Sequence, residues 1–419
     1  MKCVFLVLTL NFPVVLFPPT HRDKNAPSKV QTVLGIMDNT YREGHSALRP
    51  DEVCYRDALL TMSRRVNVPE VGELADKALV AMKERAMVPD SVCYGAAILA
   101  WKNVATSRES EDRELAAKRA LELLREMTQA YYRTTKVAVK PTTENYNHVL
   151  EALTVSKSSK AVETAETLLT AMEEAEHGEE ANVDKESGSG QATLHPDAES
   201  FKLVLDIWRN SKSVGKVPQA AKILDQMKER HGKLLIYGSS EESMADVFSA
   251  FIRVCANPSV KDEADRMKVM KIVLKSVEDM RKLDLQPNAR TYTALLEACN
   301  NLLPEGKDRQ LVLENLFQKC CQDGYVDQQV LEQFHSTAST YLYSKLVVSH
   351  SQEVENMKVV PESWTRNIKE YLVNTKEGRK VLPLSIEGKF TFTVAAGEYK
   401  MRKLRRRGNQ RMLQGGRMK

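Results

Sequence analysis

Aromatic residues are scarce in this chain: Phe, Trp and Tyr make up 6% of 419 residues. Glycine and proline are sparse too, with 18 and 15 copies. Few aromatics and few turn formers argue against a β-sandwich or barrel, whose many short strands need both. No long stretch alternates apolar and polar residues, so the period-two signal of half-buried strands is missing. One short exception, SIEGKFTFTV at 385–394, reads as a hairpin. The seven cysteines (Cys3, Cys54, Cys93, Cys255, Cys299, Cys320 and Cys321) form no C-x-x-C and no His/Cys group at metal-ligand spacing. They read as small core residues in a reducing compartment. There is no Gly-rich phosphate loop, no G-x-S-x-G and no H-x-E paired with C-x-x-C. The eight histidines are scattered. No enzymatic activity and no cofactor are therefore expected.

What is present is helix-forming. Hydrophobic residues make up 42% and charged residues 28%, with Ala, Leu, Glu and Lys frequent. The formal charge of +5 is unevenly spread. Residues 400–419 hold nine Lys or Arg and no acid. Without them, 52 basic residues face 56 acidic ones, leaving a body of −4. The basicity belongs to the tail, whose Arg402, Lys403, Arg405, Arg406 and Arg407 are candidates to neutralise phosphates.

Internal repetition organises the rest. A proline is followed five residues later by an aromatic in PDEVCY (Pro50–Tyr55), PDSVCY (Pro89–Tyr94), PTTENY (Pro141–Tyr146), PDAESF (Pro196–Phe201) and PNARTY (Pro287–Tyr292). After each proline stands Asp51, Asp90, Thr142, Asp197 or Asn288, all good N-cap residues. A helix is expected to open at each. Four residues past the aromatic come Leu59, Ile98, Leu150, Leu205 and Leu296; seven past it come Met62, Trp101, Leu153, Trp208 and Cys299. These positions share one helical face. A sixth copy without the proline aligns Phe248, Ile252 and Cys255. A second helix follows each first one and ends in Met, with a small or β-branched residue seven before it: Ala75/Met82, Ala120/Met127, Ala165/Met172, Ala220/Met227 and Val273/Met280. The expected fold is all-α, a right-handed α-solenoid superhelix of stacked antiparallel helix pairs.

The repeats are expected to run over 28–345, with a disordered acidic loop at 173–191 (EEAEHGEEANVDKESGSGQ). VQTVLGIM, with Val30 seven before Met37, looks like a second helix lacking its first. The apolar stretch 1–27 stands in that place and reads either as a signal or targeting segment or as a mispredicted gene start. It is too short and too Pro-interrupted for a stable membrane span. DGYVDQQVLEQF (Asp323–Phe334) reads as a last first-type helix. Residues 346–399, including VPESWTRNIKEYL, form a C-terminal cap region before the basic tail 400–419.

P-D-x-x-[ST]-[YF] opening one helix and A-x-x-L-L-x-x-M closing the next resemble the pentatricopeptide repeat family. PDSVCY, PDAESF and PNARTY carry the first match; ALELLREM and AETLLTAM carry the second. The W-x-x-L-G-x-x-Y pattern of tetratricopeptide repeats is absent. The resemblance implies single-stranded RNA binding in a mitochondrion or chloroplast, in RNA processing, stability or translation, with each repeat reading one base. Carried over, the reading positions lie two after the aromatic and just before the next repeat. They pair Asp57 with Ser91, Ala96 with Thr143, His148 with Ala198, Leu203 with Ala245, and Ala250 with Ala289, followed by Ala294. Asp57, Ser91, Thr143 and His148 are the RNA-contact candidates there, because Ala and Leu side chains offer no hydrogen bond to a base edge. The alternative is a helical scaffold that binds protein partners on its concave face.

Overall fold

The computed structural model describes residues 25–384 apart from 46–47, 67, 108–109, 111, 135, 157–158, 183–193, 214, 259–261, 355–356, 369–371 and 375–379. The chain divides into two units, Met1–Arg309 and Gln310–Lys419, so a boundary falls inside the stretch expected to form one array. The first unit opens with a second-type helix, α1 (Ala26–Arg42). Helix pairs follow: α2 (Glu52–Ser63) with α3 (Val71–Glu84), α4 (Ser91–Thr106) with α5 (Arg113–Thr134), and α6 (Thr143–Leu153) with α7 (Ser159–Asn182). Next come α8 (Ala198–Asn210) with α9 (Lys216–Glu229) and the short α10 (His231–Ile236), then α11 (Glu241–Ala256) with α12 (Glu263–Lys282), and then α13 (Ala289–Leu302).

The helix starts are set as the N-cap residues dictate. Asp51 accepts from Cys54 N at 3.0 Å and Asp90 from Cys93 N at 2.9 Å. Thr142, Asp197 and Asn288 each close a reciprocal capping box. The copy without proline is capped by Ser240, which accepts from Ser243 N. Each cap satisfies a donor that the helix cannot satisfy itself.

Packing follows the two apolar stripes. Successive first-type helices α2, α4, α6, α8, α11 and α13 touch in order. Each second-type helix packs on its own partner and on the next first-type helix: α3 on α2 and α4, α5 on α4 and α6, α7 on α6 and α8, α9 on α8 and α11, α12 on α11 and α13. Tyr55, Tyr94, Tyr146, Phe201, Phe248 and Tyr292 are all buried, as are the residues four and seven positions on. Met37, Met82, Met127, Met172, Met227 and Met280 close the second-type helices, each at most 1% exposed. Full burial of such a side chain is worth about 1.5–3 kcal/mol. Contact between helices is close at Gly72 on α3. A Cβ there would lie 2.5–2.8 Å from the Trp101 ring of α4, so only glycine lets the two helices approach this far. Cys54, Cys93, Cys255, Cys299, Cys320 and Cys321 are free and buried.

One expectation is corrected. The segment read as a loop from 173 continues as helix to Asn182. Its charges suggested solvent, but Glu176 is 2% exposed and pairs with Arg230 and Lys233, while Tyr237 Oη donates to its Oε1 at 3.0 Å. A buried ion pair on α9 and α10, far away in sequence, holds the extra turns. Residues 183–191 of that segment, the first helix sought near 10–25, the hairpin at 385–394 and the tail all lie outside the described residues.

The second unit holds most of α14 (Lys307–Asp323), then α15 (Gln328–Thr337) and the single-turn α16 (Thr340–Tyr343), with β1 (Gln352–Val354) paired antiparallel to β2 (Met357–Val359). A second short ladder joins β3 (Val373–Asn374) to β4 (Lys380–Val381). Phe317 stacks on Phe334 at 4.0 Å and meets the Trp364 ring edge-on at 5.8 Å. The PESWTRN segment covers the end of α14. Arg366 donates to Gln322 O, Asn367 Nδ2 to Asp323 O at 2.8 Å, and Asn367 N to Gly324 O at 3.0 Å. Carbonyls that a helix C-terminus leaves open are thereby satisfied.

Two changes test this packing. Gly72→Ala is expected to lower stability by about 1–3 kcal/mol through overpacking against Trp101. An unchanged melting temperature would refute the close contact. Glu176→Gln leaves Arg230 without its counter-charge and is expected to cost about 3–5 kcal/mol. Denaturant melts that match wild type would show that α7 does not need this anchor.

Candidate nucleic-acid interface

The first-type helices bury their aromatic, +4 and +7 positions, which leaves another row open. Counting from the aromatic, positions +1, +5 and +8 lie roughly 100° around the helix from the buried stripe. Arg56 and Leu60 on α2 are half-buried there. So are Gly95, Leu99 and Lys102 on α4, Asn147, Glu151 and Thr154 on α6, and Lys202, Asp206 and Arg209 on α8. Arg253 on α11 and Thr293, Glu297 and Asn300 on α13 continue the row. Ser63, Ser249 and Ala256 are its buried exceptions.

Neighbouring repeats are linked across this face by polar pairs. In two repeats the residue after the aromatic meets the N-cap of the next first-type helix. Arg56 pairs with Asp90, and Asn147 Nδ2 donates to Asp197 at 3.1 and 3.2 Å. Ser200 Oγ donates to Asn147 Oδ1 at 2.7 Å, which fixes the orientation of the amide. Asp246 accepts from Asn288 Nδ2 at 2.9 Å and pairs with Arg290. Lys102 reaches Glu151 at 3.4 Å.

Between α6 and α8 this face deepens into a groove of about 430 Å³, lined by Thr143, Glu144, Asn147, His148, Glu151, Asp197, Glu199 and Leu203. Four carboxylates face it. His148 sits at its wall, with Nε2 3.8 Å from Glu144. Burial lowers the imidazole below its ordinary value; Glu144 and Glu151 pull it back up and Lys102 pushes it down. The ring is therefore neutral near pH 7.

The residues singled out from sequence distribute unevenly. Asp57 is exposed and Ser91 is half-exposed at the start of α4. Thr143 is engaged with the backbone, donating through Oγ1 to His195 O at 2.8 Å. Thr143 and His148 meet in the groove; Asp57 and Ser91 do not reach it. Ala96, Ala245, Ala250 and Ala294 are buried in the helix stack, and Leu203 offers the groove only an apolar wall. Arg402, Lys403, Arg405, Arg406 and Arg407 lie outside the described residues. The open +1 row was missed because Gly95 occupies it in the second repeat and Leu60 and Leu99 occupy +5 in the first two. The polar run from Asn147 onward was the signal that marks it. Among the described residues no group of three or more His, Cys, Asp or Glu is placed to hold a metal, and no helix is long and apolar enough to cross a membrane.

Residues 275–316, from late in α12 through α13 into α14, match the family model of the pentatricopeptide repeat domain. The other copies keep the same cap, aromatic and methionine frame. These repeats are thus similar to pentatricopeptide repeats. Crystal structures of the pentatricopeptide repeat protein PPR10 also match. One, in complex with an 18-nt psaJ RNA element, is 15% identical over 79% of this chain and 53% of its own, with a TM-score of 0.22. Another, from maize, is 14% identical over 79% of this chain and 52% of its own, also with a TM-score of 0.22. The chain thus spans about half the length of these relatives. No curated protein matches the chain. In this array the elements that recur are the ones that build the stack, while the groove side chains differ from one repeat to the next.

A pH test isolates the groove histidine. The folded protein holds His148 with a lowered pKa, so it binds fewer protons than the unfolded chain just below the ordinary imidazole value. Stability from this group is present above about pH 6.5 and is lost as the pH falls through the folded value. His148→Gln is expected to flatten the acid side of a melting-temperature profile. Parallel profiles for the two proteins would place His148 in open solvent instead.

Proposed function

We propose that the first-type helix face of this repeat protein binds single-stranded RNA, and that the protein acts in RNA processing, stability or translation in a mitochondrion or chloroplast. The observation that carries this reading is the set of side-chain pairs at the repeat junctions, above all Asn147 with Asp197. An amide locked beside a carboxylate offers a donor and acceptors in fixed directions, which suits the edge of an unstacked base. Asp57, Ser91, Thr143 and His148 are the flanking contact candidates. Arg402, Lys403, Arg405, Arg406 and Arg407 of the tail neutralise phosphates. The match of residues 275–316 to the pentatricopeptide repeat domain supports the same ligand class.

A second reading has its own observation. Among the described residues the groove between α6 and α8 is lined by Glu144, Glu151, Asp197 and Glu199 and by no Lys or Arg. Carboxylates repel a phosphate chain and attract a cationic segment, so a basic protein partner on this face is the alternative.

Titration of the full chain with single-stranded RNA over a range of salt separates the two. Wild type is expected to bind with a steep salt dependence. Removal of 400–419 should weaken binding and lower the slope without abolishing it, and Asn147→Ala in the shortened chain should weaken it further. Loss of all RNA binding on removing the tail would assign the RNA to the tail and leave the helix face to a protein partner.

A further inference from the structure

The far end of the same face, where α8 gives way to α9, carries a group of cations that the junction pairs do not use. Arg209 stands in the last turn of α8, Lys216 at the first position of α9, and Arg253 in the last turn of α11. Lys216 is 5% exposed. Among the described residues its ammonium makes no hydrogen bond or ion pair, and neither does the Arg253 guanidinium. Arg209 has one carboxylate within reach, Glu297, at 3.9 Å, beyond hydrogen-bonding distance.

The position is costly for a lysine. Burial disfavours the charged ammonium, and the positive end of a helix dipole disfavours it again. The protein offers no local remedy. Burial and then the charge of Arg209 both push Lys216 below its ordinary value, and the same two causes lead for Arg253. The carboxylates facing the group are Asp206 and Glu297, and burial raises Asp206 toward its neutral form. The start of α9 is open as well. Gly215 caps it at φ 87° with no side chain to accept from the helix, and the third residue, Pro218, has no N–H. The open N–H groups of α9 stand at the end that carries Lys216, and Arg209 is near enough to act on both Lys216 and Arg253.

We infer that Arg209, Lys216 and Arg253, together with the N-terminal N–H groups of α9, form an oxyanion site that takes a phosphate group. The source we assign is a phosphodiester of the bound strand, and that assignment rests on the RNA-binding reading. A single phosphate there neutralises the unpaired ammonium, accepts from both guanidinium groups and caps α9. It lies beyond the acidic groove between α6 and α8. A strand anchored here holds its backbone on Arg209 and Arg253 and keeps it off the Glu144–Glu199 wall.

The test uses the full chain and two probes, inorganic phosphate and a single-stranded RNA oligonucleotide. Phosphate, compared with chloride at matched ionic strength, is expected to raise the melting temperature of wild type and of Lys216→Arg, but not of Lys216→Met. Without phosphate, Lys216→Met should melt no lower than wild type, because it loses a buried, unpaired charge. For RNA, each of Lys216→Met and Arg253→Gln should lower the slope of log affinity against log salt by about one. Arg253→Gln, at a half-exposed position, serves as the second variant if Lys216→Met fails to fold. The site is overturned if phosphate stabilises Lys216→Met as much as wild type, or does not stabilise wild type. A phosphate shift that needs Lys216, with RNA slopes unchanged in both variants, keeps the site and refutes the strand as its source. Absence of RNA binding in every protein, with that shift retained, refutes the RNA reading alone.

Discussion

Everything in the first unit depends on burying one aromatic per repeat between two helix layers. Tyr55, Tyr94, Tyr146, Phe201, Phe248 and Tyr292 lie at the seam where a first-type helix meets second-type helices on both sides. A lone helix pair buries one side of such a ring, and its neighbour buries the other. Stability is therefore shared along the array rather than owned by any repeat. The buried methionines at the ends of the second-type helices fill what the rings leave, since an unbranched side chain adapts to uneven gaps. Gly72 marks the place where even a methyl group is too much.

That constraint also decides what the ligand face is made of. With one stripe committed to the seam and a second to the neighbouring first-type helix, a first-type helix keeps only a narrow open row. Its side chains are held by the caps of the next repeat. Asp90 and Asp197 each serve twice, accepting from their own helix start and from Arg56 or Asn147 of the repeat before. Cap and contact are thus one network, so geometry on the open face is passed from repeat to repeat through helix starts. Charge along the face is not uniform. Carboxylates crowd the groove at α6 and α8, and the cations Arg209, Lys216 and Arg253 stand where α8, α9 and α11 meet. A flexible polyanion and a wall of carboxylates are compatible only if the phosphates are held elsewhere, which is the role the cation group can fill.

The second unit closes with a different device. PESWTRN places Trp364 against Phe317 and lets Arg366 and Asn367 bond the last carbonyls of α14. A helix end that would otherwise need water or a further repeat is satisfied by a loop from its own chain.

Local signals in the sequence determined the helix starts, the buried stripes and the all-α class, because capping and 3.6-residue periodicity act over a few residues. Asp51 through Asn288 cap the helices expected of them, and the aromatic, +4 and +7 residues are buried without exception. Contacts set over long sequence distances were not legible. The acidic run after Glu173 looked like a solvated loop until Arg230, Lys233 and Tyr237, more than fifty residues away, were found around Glu176. The open face was displaced by one position from the carried-over one, since its direction depends on which sides of each helix its neighbours cover. Only the tertiary structure shows Lys216 buried beside Arg209, because the charge a residue feels is set by what folding brings near it.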